Sequence, residues 1–254
     1  MIIFVRTRYE YPSYWDFWEL VRLSQFETCY VDEIDWQSEN IYILTPINGE
    51  LPNPLPDRTC KVIWLNIERP SSDDQVKFNR PDFDEIWVCD ENWALNTGVR
   101  YFLMGSHHDL RTGHYINKEW DYVSHTYDNP RRTAIWSQLD ELRRAPNGWV
   151  EERSHHLANS RLYVVPQQDD PPHAVTPLRF AIAAAHKLPM VYESASDTYP
   201  FVDGKDFIHA RSYKEIVPKV HKALTNPNIA VLGDNLYRKL CIETDFRTEV
   251  ERMF

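Results

Sequence analysis

Residues 176–193 read TPLRFAIAAAHKLPMVYE. Thr176 followed by Pro177 is a helix start. A threonine hydroxyl can cap free helical amides, and proline, with its preset φ and missing N–H, fits the first helical position. The alanine-rich run predicts a helix to about Lys187, and Met190-Val191-Tyr192 then predicts a buried strand. Just upstream, Leu162-Tyr163-Val164-Val165 is a strand ended by Pro166. Strand, helix and strand in succession put the chain in the α/β class.

The same alternation extends in both directions. Upstream, Tyr122-Val123-Ser124 predicts a short strand, Asn129 to Arg144 a helix with Pro130 near its first position, and 151–160 another helix. Downstream, Tyr213 to Leu224 predicts a helix that Pro218 should kink, and 235–253 a last helical segment. In the first half the predicted strands are 2–6, 41–45, 60–67, 85–89 and 100–104. A helix from Pro12 to about Ser24 lies between the first two. Pro52 to Pro56 is a loop, since proline-rich backbone builds neither helix nor central strand. Segment 70–83 is polar and reads as a surface connection.

The boundary between halves falls around 109–118, and charge divides with it. Residues 1–113 hold 10 Lys and Arg against 19 Asp and Glu, a formal −9, whereas 114–254 hold 18 against 19. The 254-residue chain as a whole carries −10, so it lacks the general basic coat of a nucleic-acid or anionic-lipid binder. Seven glycines, with no G-x-G-x-x-G and no Walker loop, count against dinucleotide dehydrogenases and P-loop NTPases. No apolar run approaches the roughly 20 residues of a membrane span, and Met1 to Arg6 reads as a strand rather than a leader. Cys29, Cys60, Cys89 and Cys241 form no C-x-x-C pair and read as core thiols in a reducing cytoplasm.

The second half resembles the nucleotide-sugar-binding domain of GT-B glycosyltransferases, especially the spore-maturation-protein type and related short bacterial or phage enzymes. The stretches that carry the likeness are WDYVSHTYDNPRRTAIWSQL (120–139), SHHLANSRLYVVPQQ (154–168), TPLRFAIAAAHKLPMVYE (176–193) and FVDGKDFIHARSYKEIVPKV (201–220). In the first half, IWLNIERP (63–70), DEIWVCDENW (84–93) and LNTGVRYFLMGSHHD (95–109) match more loosely. The resemblance implies two Rossmann-like domains facing across a cleft: an acceptor-side domain of 1–113 plus 235–254, and a donor domain of 114–234. The last segment would cross back to the first domain, because Leu236, Leu240, Phe246, Val250 and Met253 form an apolar helical face. The implied activity is sugar transfer from a nucleotide-sugar, by default a UDP-sugar, to an acceptor hydroxyl, with no metal and no other cofactor. The acceptor is either a small molecule or a hydroxymethylated pyrimidine in DNA. A non-catalytic nucleotide-binding or interaction module is the third reading. The paired glutamates of retaining family members are missing, and Arg179 stands at the place of the second. Retention and inversion both stay open.

Metal-free transfer needs fixed positive groups for the departing diphosphate. Arg131, Arg132, Arg179 and the helix start at Thr176 qualify; the alternative for each arginine is a surface ion pair. Adjacent helical residues diverge, so one of Arg131 and Arg132 should face solvent. Glu193 at a strand end suits ribose or sugar hydroxyls, or else caps loop amides. Trp149 and Val150 stand where the family meets the nucleobase, with Trp149 either stacking on the base or buried in the core, and Gln167 and Gln168 follow a strand, placed for polar contacts. The acceptor base is expected at first-domain strand ends. Glu68, Asp90 and His107 are the chosen candidates, with Glu10, Asp16, Glu91 and His108 also in position. His155-His156 reads as ordinary helix polarity rather than a zinc site. YEYPSYWDFW (9–18), six of ten residues aromatic, is either a stacking platform for a sugar or base, or sheet packing by Trp15 and Trp18 with a tyrosine rim.

Overall fold

The computed structural model describes residues 1–8, 14–45, 51–67, 82–110, 118–126, 128–148, 151–167, 176–194 and 198–254. The chain divides into two compact units. The first comprises Met1–Met104, Thr176–Leu178 and Phe246–Phe254, and the second Gly105–Val175 and Arg179–Asp245.

The first unit is built on β1 (Ile2–Arg6), α1 (Trp15–Leu23), β2 (Glu27–Tyr30), β3 (Ile41–Leu44), β4 (Lys61–Asn66), β5 (Glu85–Val88), α2 (Glu91–Thr97) and β6 (Arg100–Tyr101). Its six strands run in the order β2-β1-β3-β4-β5-β6, and every pairing is parallel. Phe4, Ile43 and Ile63 lie side by side in register and are fully buried. Parallel strands covered on both faces read as unbroken apolar runs, which is why four of them were legible in sequence. The fifth expected strand, 100–104, ends its ladder at Tyr101, and Phe102 and Met104 beyond it are fully buried. β2 was not expected. Glu27-Thr28-Cys29-Tyr30 is a partly exposed edge strand with no apolar run to betray it.

The second unit contains α3 (Pro130–Trp136), α4 (Glu151–Ala158), β7 (Tyr163–Val165), α5 (Pro177–Ala185, opened by residues grouped with the first unit), β8 (Met190–Glu193), β9 (Ile208–Ala210), α6 (Tyr213–Thr225) and α7 (Ala230–Tyr237). β7, β8 and β9 form a parallel sheet in that order. Isolated parallel bridges of Val123 to Tyr163 and Tyr122 to Arg144 extend it. The helix expected over 129–144 stops at Trp136. Beyond it Ala145 N donates to Tyr122 O at 2.9 Å, and Arg144 lies 4.4 Å over the Trp136 ring, so this segment serves the sheet edge instead of another helical turn. Gly233 in α7 is a close-approach position: an added Cβ would stand 2.1 Å from the Lys187 carbonyl oxygen.

A π-helical turn, Arg238–Glu243, leads to α8 (Phe246–Arg252). Leu236, Leu240, Phe246, Val250 and Met253 are all buried, and Ile242 is exposed. In the first unit the Phe246 ring packs on Phe4, Phe17, Phe26 and Phe102 at centroid distances of 5.9, 6.0, 6.2 and 6.1 Å. Arg247 donates to the Ser24 carbonyl at 3.0 Å, and Phe254 lies 5.3 Å from Trp87. Among the described residues, no helix is long and apolar enough to cross a membrane. Cys60, Cys89 and Cys241 are buried free thiols and Cys29 is half-buried. Burial drives the Cys241 thiol up to about 12 and the Cys29 thiol up to about 11, so both are protonated and unreactive at neutral pH.

Candidate functional site

In open parallel sheets, ligands meet the carboxyl ends of the strands, where loops and helix starts converge. In the second unit β7 ends into Pro166-Gln167, β8 ends at Glu193, and α3 starts beside them. Asn129 caps α3 by accepting from the Arg132 amide at 2.9 Å, with Pro130 at the first position. That start turns Arg131 onto both strand ends. Arg131 Nη1 donates to Glu193 Oε2 at 2.8 Å and to the Gln167 carbonyl at 2.9 Å, while Nη2 donates to Glu193 Oε1. The Gln167 amide donates to Glu193 Oε2 at 2.9 Å, and the Arg131 guanidinium lies 5.2 Å over Tyr213. Glu193 is completely buried, so this bidentate pair holds three elements in one geometry. Arg132 is buried as well, its Nε directed to the Pro166 carbonyl at 3.3 Å. The expectation that one of the two arginines faces solvent is therefore corrected. At a helix start abutting two strand ends, neighbouring side chains on either flank both find carbonyls to bond.

A second group of cationic and imidazole side chains acts on His125, which follows the bridged residues Tyr122 and Val123. His125 is 7% exposed, and among the described residues neither ring nitrogen has a hydrogen-bond partner. Its ring stacks on that of His156 from α4, with centroids 5.9 Å apart and planes within 10°. Burial pushes the His125 imidazole down to about 2, helped by Arg153, Arg179, His156 and His186, so the ring is neutral. Arg179, in the first turn of α5, donates to the Tyr163 hydroxyl at 3.0 Å. His186 Nε2 lies 3.4 Å from Ser154 Oγ. Beyond His156, a cleft of about 430 Å³ is lined by Pro146, Asn147, Glu152, His155 and His156. Gly148 keeps the adjoining loop close, since a Cβ there would sit 2.9 Å from His156 Nδ1 and from Glu152 Cβ.

The expected base candidates are dispersed. Asp90 caps α2, its Oδ1 accepting from the Trp93 amide at 2.8 Å. Asp16 is buried in the first turn of α1, where a carboxylate complements the helix dipole. His107 belongs to the second unit. Its Nδ1 accepts from the Asp109 amide at 3.1 Å, its ring stacks on His108 at 4.4 Å, and burial beside His108 lowers its pKa. Among the described residues, His107, His108 and Asp109 bring three metal-ligating atoms within 4.8 Å of one another. Thr176 precedes Pro177 and is half-buried. Glu10, Glu68, Trp149, Val150 and Gln168 lie outside the described residues. Of the aromatic stretch 9–18, Phe17 and Trp18 are core residues, with the Arg6 guanidinium 5.0 Å over the Trp18 ring.

The structure thus brings Arg131, Gln167 and Glu193 together. It sets Arg179 beside a cluster that sequence reasoning missed. His125 had a signal, as the residue following a predicted strand of a parallel sheet. Arg153 and His186 had none, because they belong to different helical segments and meet only in the fold.

No protein-family model and no curated protein matches the sequence. Among solved structures, the crystal structure of TarM is similar with a TM-score of 0.58 and 12% identity, over 87% of this chain and 55% of that one. The chain therefore spans about half the length of TarM, and at that identity the likeness is one of fold. Two structures of response regulator/GGDEF domain proteins align at TM-scores of 0.28 and 0.29, with 14% and 15% identity, over 89% of this chain and 99% of each of theirs.

Proposed function

We propose that this chain is a metal-independent GT-B glycosyltransferase whose second unit binds a nucleotide-sugar, with a UDP-sugar as the default donor. The observation that carries the reading is the buried His125 with two unpartnered ring nitrogens, set among Arg153, Arg179, His156 and His186 at the strand ends of a parallel sheet. Leaving such polar atoms buried and unbonded costs about 1–3 kcal/mol. An anion oxygen would accept from the ring N–H, and the charges of Arg153 and Arg179 favour an anion there. The fold likeness to TarM, a glycosyltransferase, points the same way.

In this reading Arg179 and the His125 cluster take the diphosphate, and the cleft beside Gly148 takes the nucleobase. The Arg131–Glu193 pair fixes the strand ends that hold them, so Glu193 is a positioning residue acting through Arg131. A carboxylate base, for which the sequence offers Asp90 and Glu68, removes the acceptor hydroxyl proton. The oxygen then attacks the anomeric carbon, and the bond to the diphosphate breaks while the cationic groups stabilise the charge that develops. The −9 of residues 1–113 favours a neutral acceptor over a phosphate backbone. The test is UDP release from a panel of UDP-sugars, with Arg179→Ala as control. Turnover lowered at least tenfold in a folded Arg179→Ala protein is expected. Equal turnover in both proteins, or none from any nucleotide-sugar, would overturn the reading.

A further inference from the structure

Burial first, and then the charged groups near it, hold the His125 ring neutral. Arg153 and His156 on α4, Arg179 on α5 and His186 in the turn after α5 each disfavour a positive charge on the ring; of these, His156 stacks on it. The stacked His156 is itself held down by burial and by His155, with Glu152 and Glu119 acting in the opposite sense. Among the described residues neither nitrogen of the buried His125 ring has a hydrogen-bond partner, so the ring can gain a proton without giving up a bond to them.

Resting on the donor-binding reading above, we propose that this cluster takes up one proton on His125 when it binds a doubly charged oxyanion, such as the diphosphate of a nucleotide-sugar, so that its affinity for such anions rises as the pH falls. Two negative charges within hydrogen-bond reach reverse the sign of the local field, and a bond from the ring to a phosphate oxygen favours the imidazolium further. The free ring is neutral across the working range, and the anion-bound ring titrates inside it. The number of protons bound therefore differs between the two states. By linkage, affinity is greatest below the pKa of the bound state and falls to a plateau above it. A bound-state midpoint near pH 6 gives roughly a fourfold gain between pH 7.5 and pH 5.5.

The probes are sulfate and UDP-glucose, neither of which titrates between pH 5 and 8.5, so any proton taken up belongs to the protein. The measurement is the ring nitrogen and carbon-bound proton signals of His125 by NMR across that range, assigned with His125→Gln. Without anion the ring should stay neutral to pH 5. Saturated with either anion, it should become imidazolium with a midpoint above 5.5. His125→Gln should flatten the pH dependence of UDP-glucose affinity. A ring that stays neutral with UDP-glucose bound overturns this inference and leaves the donor reading standing. Protonation by sulfate with no binding of UDP-glucose upholds the inference and removes the donor reading. A ring that titrates identically with and without anion, or binding of neither probe, overturns the inference.

Discussion

Replacing Arg131 with methionine removes both guanidinium donors to Glu193, leaves it only the Gln167 backbone amide among the described residues, and strands a carboxylate with no exposed side-chain surface. Breaking one partner out of a buried ion pair costs about 3–5 kcal/mol, because the remaining charge is stranded away from water. In a chain of 254 residues, each kcal/mol moves Tm by about 2–4 °C, so Arg131→Met should melt roughly 10 °C below the parent. The double replacement Arg131→Met with Glu193→Leu removes both charges and leaves only the half-buried Gln167 backbone without its partners. It should therefore be more stable than Arg131→Met alone, with a coupling of at least about 2 kcal/mol between the two sites. Urea unfolding followed by tryptophan fluorescence, with calorimetry on all four proteins of the cycle, reads this directly. Arg131→Met within 1 kcal/mol of the parent, or a double variant whose loss equals the sum of the singles, would refute the buried strut.

Gly233→Ala should cost about 1–3 kcal/mol by forcing α7 away from the Lys187 carbonyl, visible as a lower urea midpoint at unchanged slope. Phe246→Ala empties a fully buried site ringed by four phenylalanines and should cost about 3–5 kcal/mol; a loss under 1 kcal/mol would show that α8 does not hold the first sheet's core. If arginines and imidazoles neutralise the leaving diphosphate, turnover should survive EDTA largely intact, and complete loss restored by Mn²⁺ would show that a metal does that work.

The parallel sheets were legible because buried parallel strands carry continuous apolar runs, as at Ile41–Leu44 and Lys61–Asn66. The start of α5 was legible from one dipeptide, Thr176-Pro177. β2 was not, since an edge strand can be polar on both faces. The early end of α3 was not, since helical periodicity says nothing of a bridge from Arg144 to Tyr122. The site divided in the same way. Arg131, Gln167 and Glu193 were each visible as polar residues at element ends, where α/β folds put their chemistry. Their mutual bonding was not visible, because residues 62 apart in sequence meet only through the sheet. His155-His156 read as helix polarity; only the fold stacks the second of them on His125.

The central claim is that the second unit's strand ends bind a nucleoside diphosphate through its phosphates. Calorimetric titration of UDP against uridine, in the parent and in Arg179→Ala, measures this most directly. The account predicts that UDP binds at least a hundredfold more tightly than uridine. Arg179→Ala should lose about 1–3 kcal/mol of UDP affinity while uridine affinity stays the same. Equal affinity for UDP and uridine, or a folded Arg179→Ala protein that binds UDP as well as the parent, would contradict it.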